Sequence, residues 1–166
     1  MQGEGPLLTI AQISVALAGF ASVVIALRGS GPQSWTPQDR FGLANVLAAS
    51  VGTLLGSLLP FPLAYFGWSN EIVWGVTNAT FGAIVLSAVS FLAISVKTGR
   101  TPPRTPLVFW SFVGSGCLIA AMLLLSAFDL WFPRGPAILL VGLIWTLLAA
   151  FAQLATFLLV TLASDS

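Results

Sequence analysis

The chain has 166 residues, of which 57% are hydrophobic and 7% charged, with six Lys or Arg, five Asp or Glu and no histidine. A soluble domain carries roughly 25% charged residues, and so few charges would leave a soluble exterior of this size unhydrated. Composition therefore points to an integral membrane protein, and a net charge of +1 on scattered basic residues implies no nucleic-acid partner.

The charged residues leave five uncharged stretches, 5–27, 41–70, 72–96, 105–128 and 135–164, of 23, 30, 25, 24 and 30 residues. A helix rises about 1.5 Å per residue, so roughly 20 apolar residues cross the hydrocarbon core of a bilayer. All five stretches reach that length. The expectation is an all-α, polytopic bundle of five transmembrane helices with short loops. It forms a single domain over residues 1–166, with spans at about 7–27, 42–65, 72–96, 107–130 and 137–163, and leaves no room for a soluble domain.

In chain order, the N-terminal MQGEGPLLTIAQ lacks a basic n-region, and the apolar run behind it exceeds a typical signal h-region. The first span is therefore read as a retained helix. After Arg28, Gly29, Gly31 and Pro32 supply a turn. Thr36 then fits an N-cap, Pro37 the first helical position and Asp39 the first turn, where the helix dipole favours an anion. The second helix thus starts near Pro37 and should end or kink near Leu59, because Pro60 and Pro62 each lack a backbone donor. Termination near the membrane surface is the favoured form of that break. Gly67-Trp68-Ser69-Asn70 reads as a turn, with Ser69 capping the third span.

KTGRTPPRTP, which follows, is both basic and proline-rich. Its Pro103-Arg104-Thr105-Pro106 formally matches a PxxP ligand. The better reading is a stiff connection whose charges set topology and touch anionic headgroups. The fourth span leads to the WFPRGP turn, and the fifth leaves only Ser164, Asp165 and Ser166 beyond it.

Arg28, Arg40, Lys97, Arg100 and Arg104 fall on one side of a five-span topology, against Arg134 on the other. The positive-inside rule then puts the N-terminus outside and the C-terminus in the cytoplasm. The chain resembles small bacterial inner-membrane proteins, which makes that membrane the expected location. Trp35, Trp68, Trp74, Trp110 and Trp131 fall at span ends, where indole prefers the interface, and Trp145 alone lies deeper.

Chemistry is sparse. No ionisable residue lies at depth; Asp129 comes closest and is expected to turn to water or pair with Arg134. Without histidine, with the single Cys117 and with no phosphate-binding glycine loop, neither an enzyme, a cofactor nor a metal site is expected. Four carboxamides, Gln12, Asn78, Asn45 and Gln153, are the intramembrane polar candidates. Gln12 and Asn78 share a depth, roughly 8 Å below one surface, so a bond between the first and third helices is geometrically allowed. Asn45 and Gln153 are expected to stand too far apart in depth to pair.

Small residues recur every fourth position, as Ala48, Gly52 and Gly56; Gly75, Ala79, Ala83 and Ser87; Ala18, Ser22 and Ala26; and Gly116 with Ala120. Such rows let backbones approach where lipid supplies no hydrophobic drive. Gly52, Gly56, Gly75, Ala79, Ala83 and Gly116 are the leading packing candidates. The partners expected are the lipid bilayer and either further copies in a homo-oligomer or another membrane protein.

The leading functional expectation is a non-enzymatic structural or accessory subunit acting through helix contacts. The rival is a small oligomeric transporter or channel for an ion or small neutral solute, lined by Gln12, Asn78 and carbonyls near Pro60. Five spans make a direct prediction. Single cysteines at Ser69 and Thr98, in a chain without Cys117, will be labelled by an impermeant maleimide from opposite faces of the membrane, and labelling from one face refutes the topology.

Overall fold

The computed structural model describes residues 3–29, 36–98 and 106–164, and the side chains of all of these except 27–29, 37–38 and 160–164. The expectations placed on Arg28, Trp35, Arg100, Arg104 and the PxxP match fall outside what is described. Among the described residues the chain is an all-α bundle of six helices, α1 (Glu4–Gly29), α2 (Pro37–Leu58), α3 (Pro60–Tyr65), α4 (Asn70–Lys97), α5 (Pro106–Ala127) and α6 (Pro136–Ser164). Helices α2 and α3 together make one span, so five spans are long and apolar enough to cross a membrane.

Only 28 to 33% of the most apolar stretch of each span is buried within the protein. The remainder is an apolar exterior carrying Val15, Phe20, Leu55, Phe91, Leu118 and Leu148, which water would not tolerate but acyl chains match. The exterior therefore contacts a lipid bilayer.

Local chemistry sets the helix ends. At the start of α2 the Asp39 N–H donates to Thr36 Oγ1 (3.2 Å), and the Thr36 N–H donates to Asp39 Oδ2 (3.3 Å), closing a reciprocal capping box. Ser69 caps α4 through the Ile72 N–H, at 3.5 Å. Both caps stand where the sequence places them.

Two ends differ from expectation. The Pro60–Pro62 break is an interruption and not a termination. Leu59 keeps right-handed helical angles (φ −55°, ψ −37°), its N–H donates to Leu55 O at 2.9 Å, and the helical track resumes in α3. A proline in the first turn of a new helix gives up only a donor that has no intrahelical partner there, so Pro60 fits without unwinding the span.

Helix α5 ends at Ala127, three residues before the Leu130 that hydropathy favours. Asp129 adopts a left-handed backbone (φ 58°). The Leu130 N–H reaches back to Leu125 O (2.8 Å) and the Asp129 N–H to Ser126 O (3.2 Å), which is the Schellman closure with aspartate in the position glycine usually takes.

The spans assemble as two antiparallel pairs, α1 with α2 and α4 with α5, and α6 packs against α1, α2, α4 and α5. Close approach happens at glycines. A methyl on Gly56 of α2 would stand 2.6 Å from the Phe81 ring of α4, and one on Gly116 of α5 would stand 2.6 Å from Val89 Cγ2 and 2.8 Å from the Trp145 ring. Gly82 and Gly142 are similarly tight against Leu123, at 3.1 and 3.0 Å. Gly82 has no small residue four positions away and Gly142 has only Thr146, so neither stands in the rows of glycine, alanine and serine.

Gly116→Ala should destabilise the bundle by about 1–3 kcal/mol, the usual cost of overpacking. Gly114→Ala, with nothing within 4 Å of the added methyl, should stay within about 0.5 kcal/mol. Unfolding both variants in bicelles checks the contrast.

Candidate functional site

The polar groups at membrane depth divide into those satisfied within one helix and those that need a neighbour. Four buried hydroxyls belong to the first kind. Ser14 donates to Ile10 O, Ser50 to Val46 O, Ser57 to Thr53 O and Thr77 to Val73 O, all at 2.7 to 2.9 Å. A carboxamide carries a carbonyl and two N–H groups and finds its partners across helices.

Asn78 is fully buried on α4 and serves the α5–α6 turn. Its Nδ2 donates to Ser126 Oγ (3.1 Å) and to Gly135 O (3.4 Å), while the Ser126 hydroxyl donates onward to Pro133 O (3.1 Å). That chain of bonds determines the amide's orientation, because the Ser126 proton is committed and Gly135 offers only a carbonyl. Asn78 Oδ1 is left buried without a protein partner.

Arg134 completes the turn. Its Nε donates to Ala127 O at 3.1 Å, placing a cation on the carbonyl end of α5, where the helix dipole favours it. Of the two outcomes expected for Asp129, exposure is the one found.

The Gln12–Asn78 bond that the sequence allows is not formed. By residue count the two are level, each eight positions into its helix. Helix α1, however, packs on α2 and α6 and does not border α4, and Gln12 is exposed. A level count brings no contact because the helices are not neighbours.

The pair judged too distant does form. Asn45 Nδ2 donates to Gln153 Oε1 at 2.8 Å, joining α2 to α6. Asn45 lies eight residues after Pro37 and Gln153 eleven before Ser164, an axial offset of only about 4.5 Å at 1.5 Å per residue. Counting from the edge of the apolar run sets Asn45 too near the surface, because α2 begins at Pro37, five residues ahead of that run, while α6 ends within one residue of its own.

This pair stands at one end of a crevice of about 160 Å³ between α2, α4 and α6. Two aromatic contacts bracket it, with Phe81 seated at Gly56 on one side and Phe41 stacked on Phe91 (centroids 6.3 Å apart) on the other. Between them α2 and α4 present Ala48, Gly52, Ile84 and Ala88 along the crevice. Ala48, Ile84 and Ala88 are exposed, so the crevice opens sideways toward lipid. Trp145 forms part of the wall and stacks on Phe112 at 4.9 Å. The crevice thus gathers Asn45, Gln153 and Gly52, which the sequence offers as separate candidates, beside the deep Trp145.

The packing candidates divide. Gly56 and Gly116 are buried at helix crossings, Gly75 lies 3.3 Å (as a would-be methyl) from Ala127 O, and Ala79 is half-buried. Gly52 borders the crevice and Ala83 faces outward. No protein-family model, curated protein or solved structure matches the chain.

A double-mutant cycle on Asn45→Ala and Gln153→Ala should return a coupling of about 0.6 to 2 kcal/mol, the range for interhelical bonds in membranes. The cycle on Gln12→Ala and Asn78→Ala should return none. Reversible unfolding in bicelles measures both.

Proposed function

We propose that the protein is a non-enzymatic membrane protein acting as a structural or accessory subunit through helix–helix contacts. The observation that carries this reading is the outward face of α4. Thr80, Ala83, Ser87 and Ser90 are all exposed, at the three-and-four spacing that lines one side of a helix. They continue the row that begins with the packed Gly75 and Ala79. Small, weakly polar side chains make poor contacts with lipid but let a second helix approach closely.

A transport reading has less to rest on, because its expected lining does not converge. Gln12 faces outward from α1 and Asn78 is tied to the α5–α6 turn. Basic residues in the connections support an orientation with the N-terminus outside, and resemblance to small bacterial inner-membrane proteins supports that membrane as the location.

Crosslinking in native membranes, followed by copurification, should capture a stoichiometric partner or a second copy. Leucine at both Ala83 and Ser87 should reduce that capture by about tenfold while leaving unfolding within about 0.5 kcal/mol of the parent, since neither position is buried. Undiminished capture would remove α4 as the contact face. Reproducible selective flux in proteoliposomes holding this chain alone would overturn the subunit reading.

A further inference from the structure

We propose that the crevice between α2, α4 and α6 is a binding site for a neutral, single-chain amphiphile. The hydrogen-bonding head would meet Asn45 and Gln153, and the apolar chain would run toward the bilayer centre. This inference is independent of the outward face of α4.

The first argument is the unspent hydrogen-bonding capacity of the carboxamide pair. Two side-chain amides offer two carbonyl oxygens and four N–H groups. Their mutual bond uses one oxygen and one N–H. One carbonyl and three N–H groups remain, and reversing both amides together, which keeps a donor against an acceptor, leaves the same remainder. Both residues are half-buried and both line the crevice. Unspent amide groups at membrane depth are costly without a partner, and a ligand carrying an ester, amide or hydroxyl would satisfy donors and acceptor together.

Charge decides the ligand's class. None of the residues lining the crevice is ionisable, so a charged head would be desolvated there with nothing to compensate it.

Shape decides its size. From Asn45 to Thr53 the lining extends eight residues along α2, about 12 Å at 1.5 Å per residue. Its volume of about 160 Å³ resembles that of an engineered apolar cavity of roughly 150 Å³ known to hold benzene, a molecule of six carbons. One short stretch of acyl chain fits and two side by side do not.

Orientation agrees with how amphiphiles lie in a bilayer. The carboxamides occupy the end nearer the start of α2 and the finish of α6. Phe81 and Thr53 lie near the middle of their spans, so the tail would point inward. The sideways mouth at Ala48, Ile84 and Ala88 admits the ligand directly from the lipid phase.

The test uses the full chain in bilayers with a short-chain monoacylglycerol bearing a photoreactive diazirine in its tail. Labelling should saturate, map to α2, α4 and α6 around the crevice, and be displaced by unmodified monoacylglycerol. Gly52→Leu should reduce it about tenfold by filling the space, because the added Cβ lies 3.7 Å from Ile84 and the rest of the side chain extends into the crevice. Asn45→Leu with Gln153→Leu should also reduce it about tenfold, through lost hydrogen bonds to the head. Gly114→Leu, whose added atoms enter open space on α5, should leave labelling unchanged. Labelling that never saturates, or that spreads evenly over α1 and α5, would overturn the proposal even if a variant fails to fold. Equal displacement by an octyl-trimethylammonium cation would overturn neutrality, and equal displacement by a two-chain phospholipid would overturn the single chain.

Discussion

Phe81 holds the bundle together at the place where three helices meet. Its side chain is 1% exposed, and it occupies the space left by the missing side chains of Gly56 on α2 and Gly142 on α6. Lipid tails are as apolar as the helices, so burying phenylalanine brings little hydrophobic gain here, and close contact must supply the cohesion. A ring pressed against two glycines provides such contact on both sides. Leu123 does the same between Gly82 and Gly142, tying α5 into the same knot.

The crevice is a consequence of that lock. Past Phe81, α2 offers Gly52 and Ala48 while α4 offers Ile84 and Ala88. Gly52 has no side chain to meet Ile84, which a methyl there would touch at 3.7 Å, and the two alanines are short; the helices come together again at the Phe41–Phe91 stack. A pair of aromatic contacts separated by short side chains leaves a slot between them. The same residue that fixes α2 against α4 and α6 therefore also shapes the one feature of the site that faces lipid.

Hydroxyls and amides have different fates in this fold for a simple reason of reach and valence. A serine or threonine can return its single proton to the carbonyl four residues earlier and need no neighbour, as Ser14, Ser50, Ser57 and Thr77 do, while Ser126 is drawn instead into the α5–α6 turn. An amide has more groups than its own helix can satisfy, so Asn45, Gln153 and Asn78 bond across elements, while Gln12 lies exposed. Asn78 spends its donors on Ser126 and Gly135 and stabilises the turn between α5 and α6. Asn45 and Gln153 spend only part of theirs on each other, and the rest faces the crevice.

Much of this was legible in the chain's own order of residues. The number of spans follows from the distances between charges, and the caps at Thr36 and Ser69 follow from side chains that act on backbone three residues away. These are local properties, and locality is what a sequence records directly. The early end of α5 was also local, but it depended on Asp129 accepting a left-handed backbone, which hydropathy does not report. Partner choice was different. Counting along the helices put Gln12 level with Asn78 and set Asn45 apart from Gln153, yet the first pair is separated and the second bonded. Which helix borders which depends on the summed packing of whole faces around Phe81 and its glycines. That sum is made only in three dimensions, so the tertiary structure alone decided where the amides meet and where the crevice opens.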